Sequence, residues 1–338
     1  MKRVTLGKTG LEVNRLAFGS IPIQRVSEKE AVEVVLHAVE MGVDYIDTAR
    51  GYTTSEYRIG KALQETDKKV VLATKSHERT SDGICSDIEK SLKELQRDYI
   101  DIYQCHLIRD EDDYNNVLSS GGAFEGLIKA REEGLIGHIG VSSHSLDIME
   151  RIVEEGLFET IMVCFSILES AARERIVPKA IRKNLGVIAM KPFSGGVIED
   201  PVLALKYVLN QEGVLVLAGV EKKELFDQNW EVFQGSHDLI DSETKAIEEL
   251  RGKYDKSFCR RCDYCQPCTE DIPIQFVLGI RSLVKRSGRD NIRKGPFMAA
   301  LEKAKDCCEC GECEERCPYD LPIRDLIKKN LKWAAENI

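Results

Sequence analysis

The stretch Asp44-Tyr45-Ile46-Asp47-Thr48-Ala49-Arg50-Gly51-Tyr52 places a carboxylate and a phenol at the end of a short apolar run. Tyr45–Ala49 is typical of a buried strand, and the Arg50-Gly51 step predicts a turn after it. The turn would bring Tyr52 back over the end of the strand, where a phenol is a candidate proton donor. By itself, an Asp with a Tyr near a strand end more often forms a hydrogen-bonded loop than a reactive site.

Apolar runs alternate with amphipathic stretches on both sides of this segment. A hairpin over Val4–Val13 comes first, and a capping box at Ser27 and Glu30 then opens a helix that Gly42 ends. Asp110–Asp113 is predicted to be a polar loop. Eight strands alternating with helices over about 230 residues favour an α/β protein with a (β/α)8 TIM barrel. The predicted strands are Leu16–Gly19, Tyr45–Ala49, Val70–Lys75, Ile100–His106, Ile139–Ser142, Ile161–Phe165, Val187–Met190 and Val214–Ala218.

The composition restricts the kind of protein. The chain has 338 residues, 43% of them hydrophobic, and a net charge of -9. Because it carries no basic patch, we expect neither a nucleic-acid partner nor attachment to an anionic membrane surface. No stretch approaches the roughly 18 apolar residues of a membrane span, and the start lacks the apolar region of a signal peptide. We therefore expect a cytoplasmic protein.

Four polar residues follow or end three successive predicted strands. Asp47 and Tyr52 belong to the second strand, Lys75 to the third and His106 to the fourth. Active sites of such barrels lie at the C-terminal ends of the strands, so these side chains are expected to meet. A lysine ammonium favours the charged form of a nearby phenol, Asp47 would hold that ammonium, and His106 would orient a carbonyl oxygen. The alternative is a buried ion pair beside a satisfied Tyr and His.

These residues carry a resemblance to the aldo-keto reductases, which covers roughly residues 1–235. The matching segments are Asp47–Ala49 with Tyr52–Glu56, Ala73–Lys75 and Tyr103–His106. The resemblance implies an NAD(P)H-dependent reductase of a small-molecule carbonyl substrate, with an extended cofactor across the barrel mouth. It implies Tyr52 as the acid, Lys75 and Asp47 as its tuning pair, and His106 as the positioning group.

The same resemblance implies a set of cofactor-binding residues. NADP is favoured over NAD because Lys222 and Lys223 could meet a 2'-phosphate, although exposed lysine pairs are usually only solvated. The implied residues are Gly19 and Ser20 beside the nicotinamide half, Ser142 and Ser143 facing its carboxamide, and Gly219, Lys222, Gln228 and Asn229 at the adenosine half.

Nine of the twelve cysteines lie beyond residue 258, in two tight motifs. The second motif, Cys307-x2-Cys310-x2-Cys313-x3-Cys317-Pro318, has the spacing that wraps thiolates around a [4Fe-4S] cluster. The first, Cys259-x2-Cys262-x2-Cys265-x2-Cys268, is tighter, and a four-cysteine zinc site stays open for it. Each motif is followed by an Asp and a Pro, at Asp271-Ile272-Pro273 and Asp320-Leu321-Pro322, which we interpret as an Asp cap and a Pro that opens a helix.

The repeat resembles a two-cluster, mainly α-helical ferredoxin domain, so the predicted domains are a barrel over 1–255 and an iron–sulfur domain over 256–338. The resemblance implies two [4Fe-4S] clusters with crossed ligands, and it leaves Cys308 over. The clusters could be structural, could exchange electrons with an electron-transfer partner protein, or could serve a partner-binding subunit whose barrel no longer turns over. The ligand sets are Cys259, Cys262, Cys265 and Cys317 for one cluster, and Cys268, Cys307, Cys310 and Cys313 for the other.

Overall fold

The computed structural model describes residues 2–338, which form two compact units. One unit runs to Phe193 and includes Asp200–Leu239, and the other comprises Ser194–Glu199 and Ile240–Ile338. The predicted division at residue 255 remains a prediction. In the described part of the chain, no helix is long and apolar enough to cross a membrane.

The first unit begins with an antiparallel hairpin, as predicted. Strands β1 (Arg3–Thr5) and β2 (Glu12–Asn14) pair with Val4 opposite Val13. Val4 and Val13 pack with inward-facing barrel residues such as Tyr45 and Ile102 in one apolar core. The hairpin contributes these side chains to the core of the barrel.

Eight parallel strands then close into a barrel, which confirms the predicted topology. The order around the barrel is β3 to β10 in sequence, with β10 pairing back to β3. The strands are β3 (Leu16–Gly19), β4 (Tyr45–Asp47), β5 (Val71–Ser76), β6 (Ile100–Ile108), β7 (Ile136–Ser143), β8 (Thr160–Cys164), β9 (Gly186–Met190) and β10 (Val214–Gly219). The strand through Tyr45 is two residues shorter than predicted, because Thr48 and Ala49 lie between its end and the turn that begins at Arg50.

Helices cover the outside of the barrel. The first begins with the predicted capping box, in which Ser27 Oγ accepts from the Glu30 N–H while the Glu30 carboxylate accepts from the Ser27 N–H. It ends at Gly42, whose φ of 117° belongs to the left-handed region. The helices of this unit are α1 (Glu28–Met41), α2 (Ser55–Leu63), α3 (Ser81–Leu95), α4 (Glu111–Leu118), α5 (Ala123–Glu132), α6 (Leu146–Glu155), α7 (Ala172–Arg175), α8 (Val177–Arg182), α9 (Pro201–Leu209) and α10 (Lys223–Gln234), with a 3-10 turn at Ile21–Arg25.

The polar loop predicted at Asp110–Asp113 is wrong, because helix α4 begins there. Asp110 is its N-cap, and the Asp110 carboxylate accepts from the Asp113 N–H at 2.8 Å. Tyr114 and Val117 form its buried face. A short acidic segment was mistaken for a loop, although acidic residues in a first turn favour a helix start.

The second unit is helical. The helices pack around an apolar core that includes Ile272, Ile274, Leu321 and Ile323. They are α11 (Asp241–Tyr254), α12 (Ile274–Leu278), α13 (Ile280–Ser287), α14 (Arg289–Lys294), α15 (Pro296–Lys303), α16 (Glu312–Glu315) and α17 (Ile323–Asn337), with a 3-10 turn at Ala304–Asp306.

The predicted Asp caps in this unit are wrong. Pro273 and Pro322 occupy the N-cap positions of α12 and α17, and neither helix has a side-chain cap. Asp271 and Asp320 lie earlier, in left-handed turns with φ of 53° and 47°. Aspartate tolerates that conformation better than most residues, so the repeat Asp-x-Pro marks a turn before each helix.

Candidate functional site

A buried ion pair lies at the C-terminal ends of β4 and β5. Lys75, near the end of β5, donates to the carboxylate of Asp47, the last residue of β4, and the two side chains are 1% and 4% exposed. Lys75 Nζ also donates to the Thr48 carbonyl at 2.6 Å. Gln104 Nε2 donates to the second Asp47 oxygen at 3.1 Å. Adjacent parallel strands thus hold both charges in fixed positions.

Burial and charge act in opposite directions on this pair. Burial lowers the pKa of Lys75, but the Asp47 carboxylate and the Tyr52 phenol outweigh it, so the pKa lies above its usual value. Burial raises the pKa of Asp47 more than Lys75 and Gln104 lower it. Because the Asp47 carboxylate holds its pKa above the usual value, Lys75 remains protonated at neutral pH.

A tight turn carries Tyr52 back over the ion pair. The Arg50 N–H donates to the Lys75 carbonyl at 3.0 Å, and the Tyr52 N–H donates to the Ala49 carbonyl at 2.9 Å. Thr53 follows in the left-handed region, with φ of 46°. Lys75 Nζ lies 5.1 Å from the centroid of the Tyr52 ring. The turn therefore brings a phenol against a buried ammonium.

A second buried ion pair braces the same turn, and sequence reasoning missed it. Glu56, on the first turn of α2, is 1% exposed and pairs with Arg50. The other Glu56 oxygen accepts from Thr74 Oγ1 at 2.6 Å, one residue before Lys75. The available signal was a carboxylate on the apolar face of α2, in helical spacing with Ile59 and Leu63.

His106 lies beside Tyr52 in an edge-to-face contact, with ring centroids 5.9 Å apart. On another side His77 stacks on it at 4.0 Å, with the ring planes 15° apart. Within residues 2–338, the buried Nδ1 atom of His106 has no hydrogen-bond partner. His77 was also missed by sequence reasoning, although it follows β5 directly.

His106 is electrically neutral in this setting. Burial lowers its pKa well below the usual value, and nearby positive charges lower it further. Those charges belong to Lys75, His77, Arg79 and Lys191. A neutral imidazole can both donate and accept a hydrogen bond, which is what orienting a carbonyl group requires.

The backbone after His106 is held by a salt bridge. Leu107 has a left-handed φ of 55°, and Arg79 donates to the carbonyl oxygens of His106 and Leu107, each at 3.0 Å. Arg79 is itself paired with Asp113 at 2.5 Å. Non-glycine residues keep such a conformation only where their surroundings determine it.

Three further residues meet at the ends of β7, β8 and β9, on the next strands around the barrel. Lys191 Nζ lies 2.6 Å from His144 Nε2 and 3.5 Å from Cys164 Sγ. His144 follows β7, Cys164 ends β8 and Lys191 follows β9. Sequence reasoning gave none of the three a role in a site, although the strand-end rule that found Lys75 applies to them.

Comparisons with known proteins decide the family. Residues 15–202, more than half of the chain, match the profile of the Aldo/keto reductase family. The chain belongs to the aldo/keto reductase family. It is thus an oxidoreductase enzyme.

Its relatives agree with that assignment. The uncharacterized oxidoreductase YqkF of Bacillus subtilis (strain 168) is 29% identical over 230 residues, covering 64% of this chain and 72% of that protein. A structure from Pseudomonas aeruginosa named as an aldo-keto reductase is 26% identical, covers 68% of this chain and 93% of its own, and has a TM-score of 0.61. An aldo-keto reductase from Klebsiella pneumoniae in complex with NADPH is 21% identical, with a TM-score of 0.63 and coverage of 74% and 95%. At that identity the last likeness concerns the fold alone.

The aldo/keto reductase barrel presents bare backbone where the nicotinamide half was expected. Gly19 and Gly219 pair side by side at the ends of β3 and β10. A Cβ on Gly219 would lie 3.0 Å from Pro22 Cγ, so this wall has little room for side chains. Ser20 is buried nearby and accepts from Ser55 Oγ at 2.8 Å. The space beside Gly219 is thus occupied by Pro22, and the roles of Gly19 and Ser20 at the nicotinamide half remain predictions.

The two serines expected at the carboxamide are buried at the end of β7, where both hydroxyls bond to backbone. Ser142 Oγ accepts from the Leu107 N–H at 2.8 Å, and Ser143 Oγ donates to the Ile108 carbonyl at 2.7 Å. They hold β6 against β7. Each hydroxyl retains a further hydrogen-bonding position.

Of the residues expected at the adenosine half, Gly219 ends β10, Lys222 precedes α10, and Gln228 and Asn229 lie in the middle of that helix. Lys222 is the residue before the helix and is exposed, as is Gln228, whereas Asn229 is buried. Lys223 is paired with Glu33 at 3.2 Å. Lys222 is therefore the better placed of the two lysines to meet an added phosphate.

In the second unit, the groups that influence each thiol indicate which cysteines lie close together. The pKa of Cys262 is raised to about 12 by burial and by the neighbouring Cys259 and Cys317 thiols. Burial also raises the pKa of Cys265, and the neighbouring Cys259 and Cys262 thiols raise it further. The fourth cysteine of the second motif therefore lies beside the first motif.

Cys268 and three cysteines of the second motif also lie close together. The pKa of Cys313 is raised to about 11, first by burial and further by the neighbouring Cys268, Cys307 and Cys310 thiols. These four cysteines line one cavity together with Cys308. Within residues 2–338, no three His, Cys, Asp or Glu side chains are placed to hold a single metal ion. In a [4Fe-4S] cluster each thiolate binds a different iron, so its ligand sulfurs surround a volume and do not meet at one point.

Proposed function

We propose that this protein reduces an aldehyde or ketone to an alcohol with NADPH. The observation that carries the proposal is the contact of Tyr52 with both the buried Lys75–Asp47 pair and the neutral His106. Family membership supports the same reaction class. The site therefore combines a proton donor with a group that orients the carbonyl.

The chemistry follows from what each residue can do. Tyr52 donates its phenolic proton to the carbonyl oxygen, and the Lys75 ammonium stabilises the phenolate that remains. Asp47 keeps Lys75 charged and fixed, while His106 donates a hydrogen bond to the same oxygen. When bound, the nicotinamide supplies the hydride for the carbonyl carbon.

The same proposal covers the cofactor contacts. Gly19 would admit the nicotinamide half, Ser142 and Ser143 would bind its carboxamide, and Gly219 would lie at the adenosine half. Lys222 would meet a 2'-phosphate, which supports NADP over NAD. The remaining proposed contacts are Ser20 at the nicotinamide half and Gln228 and Asn229 at the adenosine half.

The test compares Tyr52→Phe with a matched control, Tyr57→Phe, which removes an exposed phenol from α2. Loss of a general acid lowers kcat by about 10²–10⁴-fold. NADPH oxidation by a panel of carbonyl compounds would be followed by absorbance, and NADPH binding by its fluorescence. We expect Tyr52→Phe to bind NADPH normally and to lose turnover, with Tyr57→Phe unaffected. A Tyr52→Phe variant that keeps its kcat would overturn the assignment.

We also propose that the second unit holds two [4Fe-4S] clusters with crossed ligands. One cluster would use Cys259, Cys262, Cys265 and Cys317, and the other Cys268, Cys307, Cys310 and Cys313. The proximity of Cys317 to the first motif and of Cys268 to the second supports this division. Burial is the main cause of the raised pKa values of the Cys259, Cys262, Cys265 and Cys313 thiols, and positively charged iron would stabilise them as thiolates. A reducing compartment such as the cytoplasm suits such ligands.

Whether these clusters are structural or exchange electrons with a partner protein is a separate question. Nicotinamide delivers an electron pair, whereas each cluster takes one electron. Cluster-loaded protein would be mixed anaerobically with NADPH, and the cluster absorption and EPR signal followed, with dithionite as the positive control. Bleaching by NADPH would support electron exchange, while bleaching by dithionite alone would support a structural role or a different donor.

A further inference from the structure

The cluster of His144, Cys164 and Lys191 has no part in the reduction described above. All three lie at the C-terminal ends of adjacent strands, where β7, β8 and β9 open into the barrel mouth. Lys191 links the other two, at 2.6 Å from His144 Nε2 and 3.5 Å from Cys164 Sγ. Its backbone is left-handed, with φ of 60°, a conformation that a lysine keeps only where its surroundings determine it.

The three cysteines of the barrel unit differ in what surrounds the sulfur. Cys85 donates its S–H to the Gly126 carbonyl at 3.6 Å, and burial raises its pKa. Cys105 is fully buried in β6, and burial raises its pKa to about 12. Cys164 instead accepts a hydrogen bond from an ammonium group. A neighbouring ammonium stabilises a thiolate, which is the nucleophilic form of cysteine.

The cluster shares the mouth with the proposed carbonyl site. Lys191 is one of the positive charges that act on His106. His106 in turn contacts Tyr52. Two different chemistries therefore lie at the C-terminal end of the barrel, proton donation at β4 and β5 and a 5% exposed thiol beside an ammonium at β8 and β9.

We propose that Cys164, activated by Lys191 and His144, is a covalent site for α,β-unsaturated carbonyl compounds. The thiolate sulfur forms a bond to the β carbon, and the alkene electron pair moves to give an enolate. The proton that the Cys164 thiol loses passes through Lys191 to His144; Lys191 then gives one proton to the α carbon and regains one from His144. Nothing is oxidised or reduced, and no other reactant is needed. The proposal rests on the proposed function only in that the mouth admits carbonyl compounds.

The first experiment uses the unmodified, cluster-loaded protein under anaerobic conditions. Crotonaldehyde and its saturated analogue butanal are added separately without NADPH, adducts are fixed with borohydride, and cysteine peptides are mapped by mass spectrometry. We expect crotonaldehyde on Cys164 at least about tenfold faster than on Cys85, although Cys85 is the more exposed. Butanal should leave no adduct. Equal rates at the two cysteines, or no adduct on Cys164, would overturn the proposal.

The second experiment tests the role of the ammonium. Lys191→Met should slow iodoacetamide alkylation of Cys164 at pH 7 by about tenfold or more, while Lys191→Arg should restore much of it. Lys179→Met, which removes an ammonium on α8 that pairs with Glu150 at 3.1 Å, is the control. In the unmodified protein the Cys164 rate should change little between pH 7 and 9, whereas an ordinary thiol gains reactivity over that range. A steep rise, or an unchanged rate in Lys191→Met, would refute activation.

Butanal separates this proposal from the proposed function. If the protein with NADPH reduces butanal but crotonaldehyde leaves Cys164 unmodified, the reductase assignment stands and the covalent site is refuted. If Cys164 is modified but no carbonyl compound is reduced, the covalent site stands and the reductase assignment is refuted.

Discussion

Replacing Asp47 by Asn removes the charge that compensates the buried Lys75. Lys75 is 1% exposed, and its pKa stays above the usual value only because the carboxylate and the nearby phenol outweigh burial. In Asp47→Asn burial dominates, so we expect the pKa of Lys75 to fall below its usual value. Breaking a buried pair by removing one partner costs about 3–5 kcal/mol of unfolding free energy at neutral pH.

The pH dependence distinguishes this cause from general damage to the fold. In the wild type the raised pKa of Lys75 contributes stability that is fully present below about pH 10 and is lost above it. In the variant the lowered pKa makes the folded state prefer the neutral amine. The unfolding free energy of Asp47→Asn should therefore approach that of the wild type as the pH rises from 7 to 10. A difference of about 1 kcal/mol should remain for the lost charged hydrogen bonds.

Urea unfolding at several pH values measures this difference. Each unit contains one of the two tryptophans, so a Trp333→Phe background leaves Trp230 on α10 to report the barrel. Asp101→Asn is the matched control, because Asp101 accepts from the Leu72 N–H at 2.8 Å on the neighbouring strand. Its deficit should not change between pH 7 and 10. A deficit in Asp47→Asn that is below about 1 kcal/mol at pH 7, or that is independent of pH, would refute the reasoning.

Three further predictions follow from the same contacts. Glu56→Gln loosens the turn that carries the candidate acid Tyr52, so kcat should fall by about tenfold while the affinity for NADPH stays unchanged. Glu94→Gln, which alters the second carboxylate paired with Arg50, is the control and should have little effect on kcat. Equal kcat values in the two variants would count against a positioning role for Glu56. Between pH 7 and 5, His106→Gln should lose less unfolding free energy than the wild type. The folded wild type keeps the His106 imidazole neutral, whereas the unfolded chain takes up a proton near pH 6.5. Parallel pH profiles from denaturant titrations of the two proteins would contradict this prediction. Cys268→Ser should remove about four of the eight iron atoms and alter one EPR signal, whereas the control Cys308→Ser should retain both clusters. An unchanged iron content in Cys268→Ser would argue against crossed ligands.

Local patterns in the sequence were sufficient for most of the fold. The strand at Leu16–Gly19 was predicted at its observed bounds, and the capping box at Ser27 was confirmed. Errors arose where short segments carry weak local signals. Helix α4 after Asp110 is eight residues long, and the turns at Asp271 and Asp320 differ from caps only in backbone conformation.

Part of the candidate site could also be predicted from the sequence, because one rule of the fold applies to every strand. Residues at the C-terminal ends of parallel strands share one mouth, so Asp47, Lys75 and His106 could be grouped before any contact was known. The stacking of His77 on His106 and the bracing of the Tyr52 turn by Glu56 could not. Both depend on side-chain directions that the spacing of residues along one strand does not specify.

The sequence by itself therefore determined the barrel, the family motifs and the cysteine spacing, since each depends on residues close together in the chain. Only the tertiary structure decided which charges compensate each other and which thiol meets an ammonium. Lys191 and Cys164 are far apart in sequence and meet because β8 and β9 are neighbours in a closed barrel. Electrostatic energy depends on distance and burial, and these are fixed only when the barrel closes.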